Sequence, residues 1–253
     1  MENMKDKLSE YYNKFNEDKR LDRRHGQVEF LTSMKYIHEY LSKDDKIIDI
    51  GAGAGRYSIT LKNEGYDVTA VELVRTNIGK IKNNDPDIKV VEANATDLSM
   101  FKDNEFDVAI MFGPMYHLYS KQDRLKALSE AKRITKKYLF VTYIMNEYAV
   151  IEYAFKDNHY KEIKDKLDNT YHIDDPDGLF FHVRLDDIDE LNELSNLKLI
   201  KRFASDGPSD YMRSYINDMD EQTFKAFIEF HQKTCERKEL LGASSHIVDI
   251  LSK

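Results

Sequence analysis

Residues 46 to 72, KIIDIGAGAGRYSITLKNEGYDVTAVE, leave this chain few ways to fold. Ile47, Ile48 and Ile50 form a short β-branched run of the kind that fills a strand buried on both faces. Gly51, Gly53 and Gly55 follow at alternate positions. Without a Cβ, the backbone there can take positive φ and a ligand can come close. A helix from about Ala54 to Glu64 is predicted next, its free N–H groups and positive dipole end turned toward that ligand. Gly65 closes the helix, and Asp67 to Val71 reads as a second strand ending on Glu72. That carboxylate stands roughly 20 residues past the loop, where an acid reaches ribose hydroxyls in nucleotide-binding β–α–β units. The order of strand, glycine loop, helix, strand and acid predicts a site for an adenosyl-type cofactor.

The glycine loop alone leaves NAD and S-adenosylmethionine open. The dinucleotide fingerprint G-x-G-x-x-G ends on a glycine that lets helix and strand pack closely. Here Arg56 takes that place, and Asp49 precedes the first glycine. This spacing resembles motif I of the class I S-adenosylmethionine-dependent methyltransferases. Further strands are predicted at Ile88 to Glu92 and Phe106 to Met111, the latter inside FDVAIMFGPMYHL, which is similar to that family's motif IV region. The segments RRHGQVEFLTSMKYI and CERKELLGASSHIVDI look like those of a bacterial UbiE-like group within the family.

The resemblance implies an α/β fold: a Rossmann-like doubly wound sheet of seven strands in the order 3-2-1-4-5-7-6, the last antiparallel, with helical lid insertions. It implies S-adenosylmethionine as cofactor and places Gly51, Gly53, Gly55, Glu72 and Phe112 around it. It puts adenine beside the loop after the third strand, on Ala95 and either Asn94 or Asp97. An Asn94 carbonyl accepts a hydrogen bond without charge, and Asp97 is the alternative. Asp49 is expected to orient the glycine loop through its amides. Arg24, in RRHGQ, is expected to fork onto the cofactor's carboxylate. Arg56, at the start of the helix, faces either that carboxylate or solvent.

At 253 residues the chain can bury one large α/β core, and its net charge of −8 argues against a broad phosphate-binding surface. Lys132, Arg133, Lys136 and Lys137 form a basic cluster that reads as a solvated helix end. The single cysteine, Cys235, reads as helix surface, and no disulfide can form within the chain. The N-terminus is too charged for a signal peptide and the longest apolar run, Tyr138 to Met145, is too short to span a membrane. A cytosolic location is expected.

A single domain over 1–253 is expected to divide into an N-terminal helical lid (1–43), a cofactor-binding core (44–146), a lid insertion (147–182) and a C-terminal core with a helical insertion (183–253). Strands at Tyr138 to Met145, Leu197 to Ala204 and His246 to Leu251 complete the sheet. Tyr11 and Tyr12 are lid candidates. His117, just past the fourth strand, is the candidate catalytic base, titrating near 6.5 if unperturbed. His182 and His246 read as structural, and no metal-ligand spacing is present. The favoured reading is methyl transfer to a small-molecule acceptor. The alternatives are an RNA-modifying methyltransferase and a non-catalytic S-adenosylmethionine binder, with an NAD-dependent oxidoreductase last. The acceptor and the oligomeric state are not encoded in any motif.

Overall fold

The computed structural model describes residues 7–12 and 22–253. Its strands are β1 (Lys46–Ile50), β2 (Asp67–Glu72), β3 (Lys89–Glu92), β4 (Phe106–Met111), β5 (Thr135–Ile144), β6 (Lys198–Ala204) and β7 (His246–Ser252). They form one seven-stranded sheet in the order β3-β2-β1-β4-β5-β7-β6. β1 to β5 pair in parallel, and β7 runs antiparallel to both β5 and β6. This is the doubly wound Rossmann-like architecture that the resemblance implied. Ile47 and Ile48 point to opposite faces and are both fully buried, so the sheet is covered on both sides.

The helices are α1 (Arg24–Tyr40), α2 (Arg56–Asn63), α3 (Arg75–Asn84), α4 (Lys121–Ile134), α5 (Leu185–Leu194), α6 (Arg213–Asp218) and α7 (Glu221–Thr234). α1 buries Tyr36 and Ile37 in the main core, while its Val28 packs with Ile216 and Phe224 of α6 and α7. Ser120 caps α4 by accepting from the Asp123 amide at 3.0 Å. α4 runs straight into β5, which therefore begins before the expected Tyr138. Lys136 and Lys137 accordingly stand in β5, not at a helix end, and pair with Asp107 and Asp45. Cys235 also departs from expectation. It is 2% exposed, and its thiol meets the Tyr36 hydroxyl at 3.3 Å where α7 ends against the core.

After β5 the chain turns helical at Asn146–Ala149 and widens into a π-helix over Val150–Lys156. Val150, Ala154 and Ile163 give this insertion a small core of its own. Arg184 ties it down through Glu147 at 2.6 Å. The insertion follows the carboxyl end of β5, the edge at which open α/β sheets bind ligands. Among the described residues no helix is long and apolar enough to cross a membrane.

Candidate active site

The loop after β1 turns sharply, and the Gly51 and Ala52 amides both donate to the Val71 carbonyl, at 2.8 and 3.0 Å. Gly51, Gly53 and Gly55 have φ of 77°, 57° and 89°. Each is a glycine for a different reason. A Cβ on Gly51 would stand 2.6 Å from Pro114 Cδ, so this position lets Pro114 pack on the loop. A Cβ on Gly55 would press on Ile81 at 3.0 Å, so this one lets α2 approach α3. Only at Gly53, of these three, would a Cβ meet nothing within 4 Å. Gly51 and Gly53 both line the cavity described below, and Gly55 does not.

Glu72 ends β2 and is 6% exposed. Its Oε2 accepts from the Gly53 amide at 2.7 Å, and its Oε1 from the Leu73 and Val74 amides at 2.9 and 2.8 Å. Burial pushes this carboxyl up, against the pull of those amides. Asp49, 2% exposed, is pushed up to about 6 by burial, with the Glu72 charge adding to it. Its partner is the Ser58 hydroxyl, in α2. Asp49 thus pins the first turns of α2; the expected contact with the loop amides is replaced by this one.

A cavity of about 410 Å³ opens beside the loop, within the size range of small-molecule sites. One end is walled by Gly53, Glu72, Asn94, Ala95 and Phe112, the other by Tyr12, Glu29, Tyr116 and His117. Arg24, Asp49, Gly55 and Asp97 are not part of its wall. Asn94 and Asp97 close one tight turn, with the Asp97 amide on the Asn94 carbonyl at 2.9 Å. The Asp97 carboxylate caps the Ser99 amide instead of facing the cavity. Arg24 reaches Glu221 at 3.3 Å and lies over the Phe224 ring, because α1 packs on α7. The expected fork of Arg24 onto a cofactor carboxylate is not formed by this packing. Arg56 does line the cavity and pairs with Asp22 at 3.1 Å.

At the far end His117 is held from both sides. Its Nδ1 stands 3.0 Å from the Leu179 carbonyl and its Nε2 2.9 Å from the Tyr12 hydroxyl. A carbonyl can only accept, so Nδ1 carries the proton and Nε2 accepts from Tyr12. Burial pushes the imidazole down to about 4, below the 6.5 of an unperturbed ring. Residues 7–12 roof this end: Tyr11 meets Phe180 edge-on at 5.5 Å, and Lys7 donates to the Asp177 carbonyl at 3.2 Å.

An acidic group at this end went unread in the sequence. Glu29, Asp206 and His246 bring one atom each within 4.8 Å of one another. The His246 amide and Nδ1 both meet Asp206, at 3.0 and 2.6 Å. SDGPSD after β6 signals a turn bearing two acids at a strand's carboxyl end. Nothing in the sequence says that Glu29 of α1 and His246 of β7 come to it.

Residues 48–140 match a family model described as a methyltransferase domain. No curated protein matches the chain in sequence. Among solved structures, the chain is similar to an S-adenosylmethionine-dependent methyltransferase from Methanosarcina mazei, with 19% identity over 86% of this chain and 96% of that one and a TM-score of 0.59. A second, described as a possible histamine N-methyltransferase from Thermotoga maritima, shares 20% identity over 99% of each chain at a TM-score of 0.58. A third, a geranyl diphosphate C-methyltransferase from Streptomyces coelicolor in complex with S-adenosylhomocysteine, shares 13% over 87% of this chain and 79% of that one at 0.55. At these identities the likeness fixes the fold. The matched segment runs from inside β1 to inside β5 and includes the glycine loop, Glu72, Asn94 and His117. Fold and matched segment together make the chain similar to the S-adenosylmethionine-dependent methyltransferases.

Proposed function

We propose that the enzyme methylates a small-molecule acceptor bound at the His117 end of the cavity. The observation that carries this reading is the cavity itself, which joins Gly53 and Glu72 at one end to His117 and Glu29 at the other. The residues present fit the cofactor: Gly53 leaves space that a Cβ would fill, and Glu72 presents a buried carboxylate at the wall. Glu72 would hold the ribose hydroxyls, and Asn94 with the Ala95 amide would hold the adenine. When bound, the cofactor supplies a methyl group made electrophilic by its sulfonium.

The chain's own residues do the rest by alignment and proton handling. Leu8 and Tyr12 cover the far end and keep water out. As an acceptor loses its proton, the Tyr12 oxygen takes it while passing its own to His117 Nε2, and the Leu179 carbonyl keeps the imidazole in the required tautomer. The acidic wall supports a small molecule over an RNA. Within the class, the two terminal segments support the UbiE-like group.

Calorimetry and an acceptor screen test this. S-adenosylmethionine and S-adenosylhomocysteine bind, and NAD does not. His117→Ala lowers kcat by about 10²–10⁴-fold while leaving S-adenosylhomocysteine affinity nearly intact. NAD binding, or near-normal turnover in that variant, would overturn the corresponding part of the reading.

A further inference from the structure

Three polar aromatic side chains in the cavity's wall spend their polar atoms on the protein itself. His117 engages both ring nitrogens, Nδ1 on the Leu179 carbonyl and Nε2 on the Tyr12 hydroxyl. The Tyr119 hydroxyl donates to Asp174 in the insertion. What these side chains add to the wall is therefore mainly ring carbon. The rings also pack on one another. Tyr12 meets His117 edge-on with centroids 5.9 Å apart, and Tyr116, another wall residue, meets His117 at 4.8 Å. Phe180, outside the wall, backs His117 at 5.2 Å and Tyr116 at 6.1 Å. Such interlocked rings offer edges and faces with which a further ring pairs at about 4.5–7 Å. One polar atom here has a defined role. The Tyr12 proton is committed to Nε2, because Nδ1 holds the imidazole's own, so toward any further group the Tyr12 oxygen only accepts. A ligand that pairs with it presents an O–H or N–H.

We propose that this end of the cavity takes a flat aromatic ring bearing a hydroxyl, so that the acceptor atom is a phenol oxygen. The inference rests on the methyl-transfer function proposed above. A planar ring fills a ring-lined space through edge and face contacts that a saturated ring of the same size does not make. Its hydroxyl also matches the relay. The Tyr12 hydroxyl is itself a phenol, so moving a proton to it from a phenol ligand exchanges like for like. An aliphatic alcohol holds its proton far more tightly and has no such match. A protonated amine would set a second positive charge beside the cofactor's sulfonium. For transfer, the phenol O–H proton goes to the Tyr12 oxygen as Tyr12 passes its own to His117 Nε2, and a pair on the phenol oxygen forms the O–C bond. The pair of the breaking C–S bond stays on sulfur, so the positive charge lost there reappears on the imidazolium.

The test is calorimetry on the full chain saturated with S-adenosylhomocysteine, and turnover with S-adenosylmethionine. The probes are phenol and 2-naphthol, each against the saturated alcohol of the same skeleton, and cyclohexylamine. At least one phenol is expected to bind about tenfold or more tighter than its saturated alcohol, and to be converted to its methyl ether. Tyr116→Leu, which removes one ring, should cut that preference to about threefold or less. Tyr12→Phe, which keeps the ring, should keep the preference and lower kcat for the phenol by about 10²-fold or more. Retained S-adenosylhomocysteine affinity in both variants verifies that they fold. Equal binding of phenols and saturated alcohols, tighter binding of cyclohexylamine, a preference untouched by Tyr116→Leu, or a bound phenol left unmethylated would overturn the inference. Failure of S-adenosylhomocysteine to bind the unaltered protein would overturn instead the function on which it rests.

Discussion

The two ends of the cavity are built in opposite ways. The end proposed for the cofactor is assembled from residues 51 to 112, and backbone amides do much of its polar work, as the three amides on Glu72 show. The far end gathers Tyr12, Glu29, Tyr116 and His117 from distant parts of the chain, with Asp206 and His246 beside Glu29, mostly through side chains meeting side chains. An adenosyl group is the same for every enzyme that uses it, so a frame of backbone and glycines serves. An acceptor differs from enzyme to enzyme, and this fold supplies its site from lids and loops, which can change without disturbing the sheet.

The largest effect that would sharpen the contrast lies inside the glycine loop. Gly51→Ala puts a Cβ 2.6 Å from Pro114 at a φ of 77°. Left-handed backbone and overpacking together should cost about 2–5 kcal/mol of stability. Gly53→Ala places its Cβ in open space, so its stability cost should stay near 1–2 kcal/mol while S-adenosylhomocysteine affinity falls. Denaturant unfolding and calorimetry on both variants would check this. The same phenotype in both would mean that the loop does not divide into a structural and a ligand-facing glycine.

Glu72→Ala comes next. It removes the proposed charged acceptor for the ribose hydroxyls, a loss of roughly 1.5–3 kcal/mol, or about 10–150-fold in S-adenosylhomocysteine affinity. It also strands the Gly53, Leu73 and Val74 amides, so the melting temperature should drop. An affinity untouched by this change would remove the carboxylate from the cofactor end.

The same contrast governs what the sequence could reveal. The parts proposed to hold the cofactor lie within one β–α–β unit and the next two strands, where spacing determines geometry, so their grouping could be read from the sequence. Even there, spacing alone could not separate the reasons for Gly51, Gly53 and Gly55, because Pro114 and Ile81 come from elsewhere in the chain. Asp97 and Asn94 could not be told apart until the turn showed which side chain caps Ser99. The far end was legible only at His117 and Tyr12. Glu29 and Asp206 carry no motif, and their meeting depends on how α1 packs against the turn after β6.

Acid should act on the two ends with opposite sign. His117 and His182 are held at about 4 by burial, below their usual 6.5. Between those values the unfolded chain takes up protons that the folded one refuses, so their contribution to stability is lost as pH falls from 6.5 toward 4. Asp49 is raised from 3.8 to about 6, and Glu72 is also raised. Here the folded chain takes up the proton first, so falling pH through 6 favours the fold at the cofactor end. Hydrogen exchange at pH 7 and 5, corrected for intrinsic rates, should show protection lost in residues 7–12 and 177–183 and gained in residues 49–58. His117→Ala should reduce the first change, and Asp49→Asn should remove the second. Uniform loss across both segments would mean that the two ends open as one unit.

The smallest expected effect belongs to Arg24, and it would break the comparison if it proved large. Its guanidinium meets Glu221 at 3.3 Å, and the Glu221 side chain is 87% exposed. An exposed pair of this kind contributes about 0–1 kcal/mol, and the Phe224 ring beneath it adds little more. Arg24→Ala should therefore change stability by about 1 kcal/mol or less and S-adenosylhomocysteine affinity by less than about twofold. The physical reason is placement: α1 turns Arg24 toward α7 and turns Glu29 toward the cavity. A tenfold loss of cofactor affinity in Arg24→Ala would show that α1 serves both ends of the cavity. The cofactor end would then no longer be the work of the β1-to-β4 region alone.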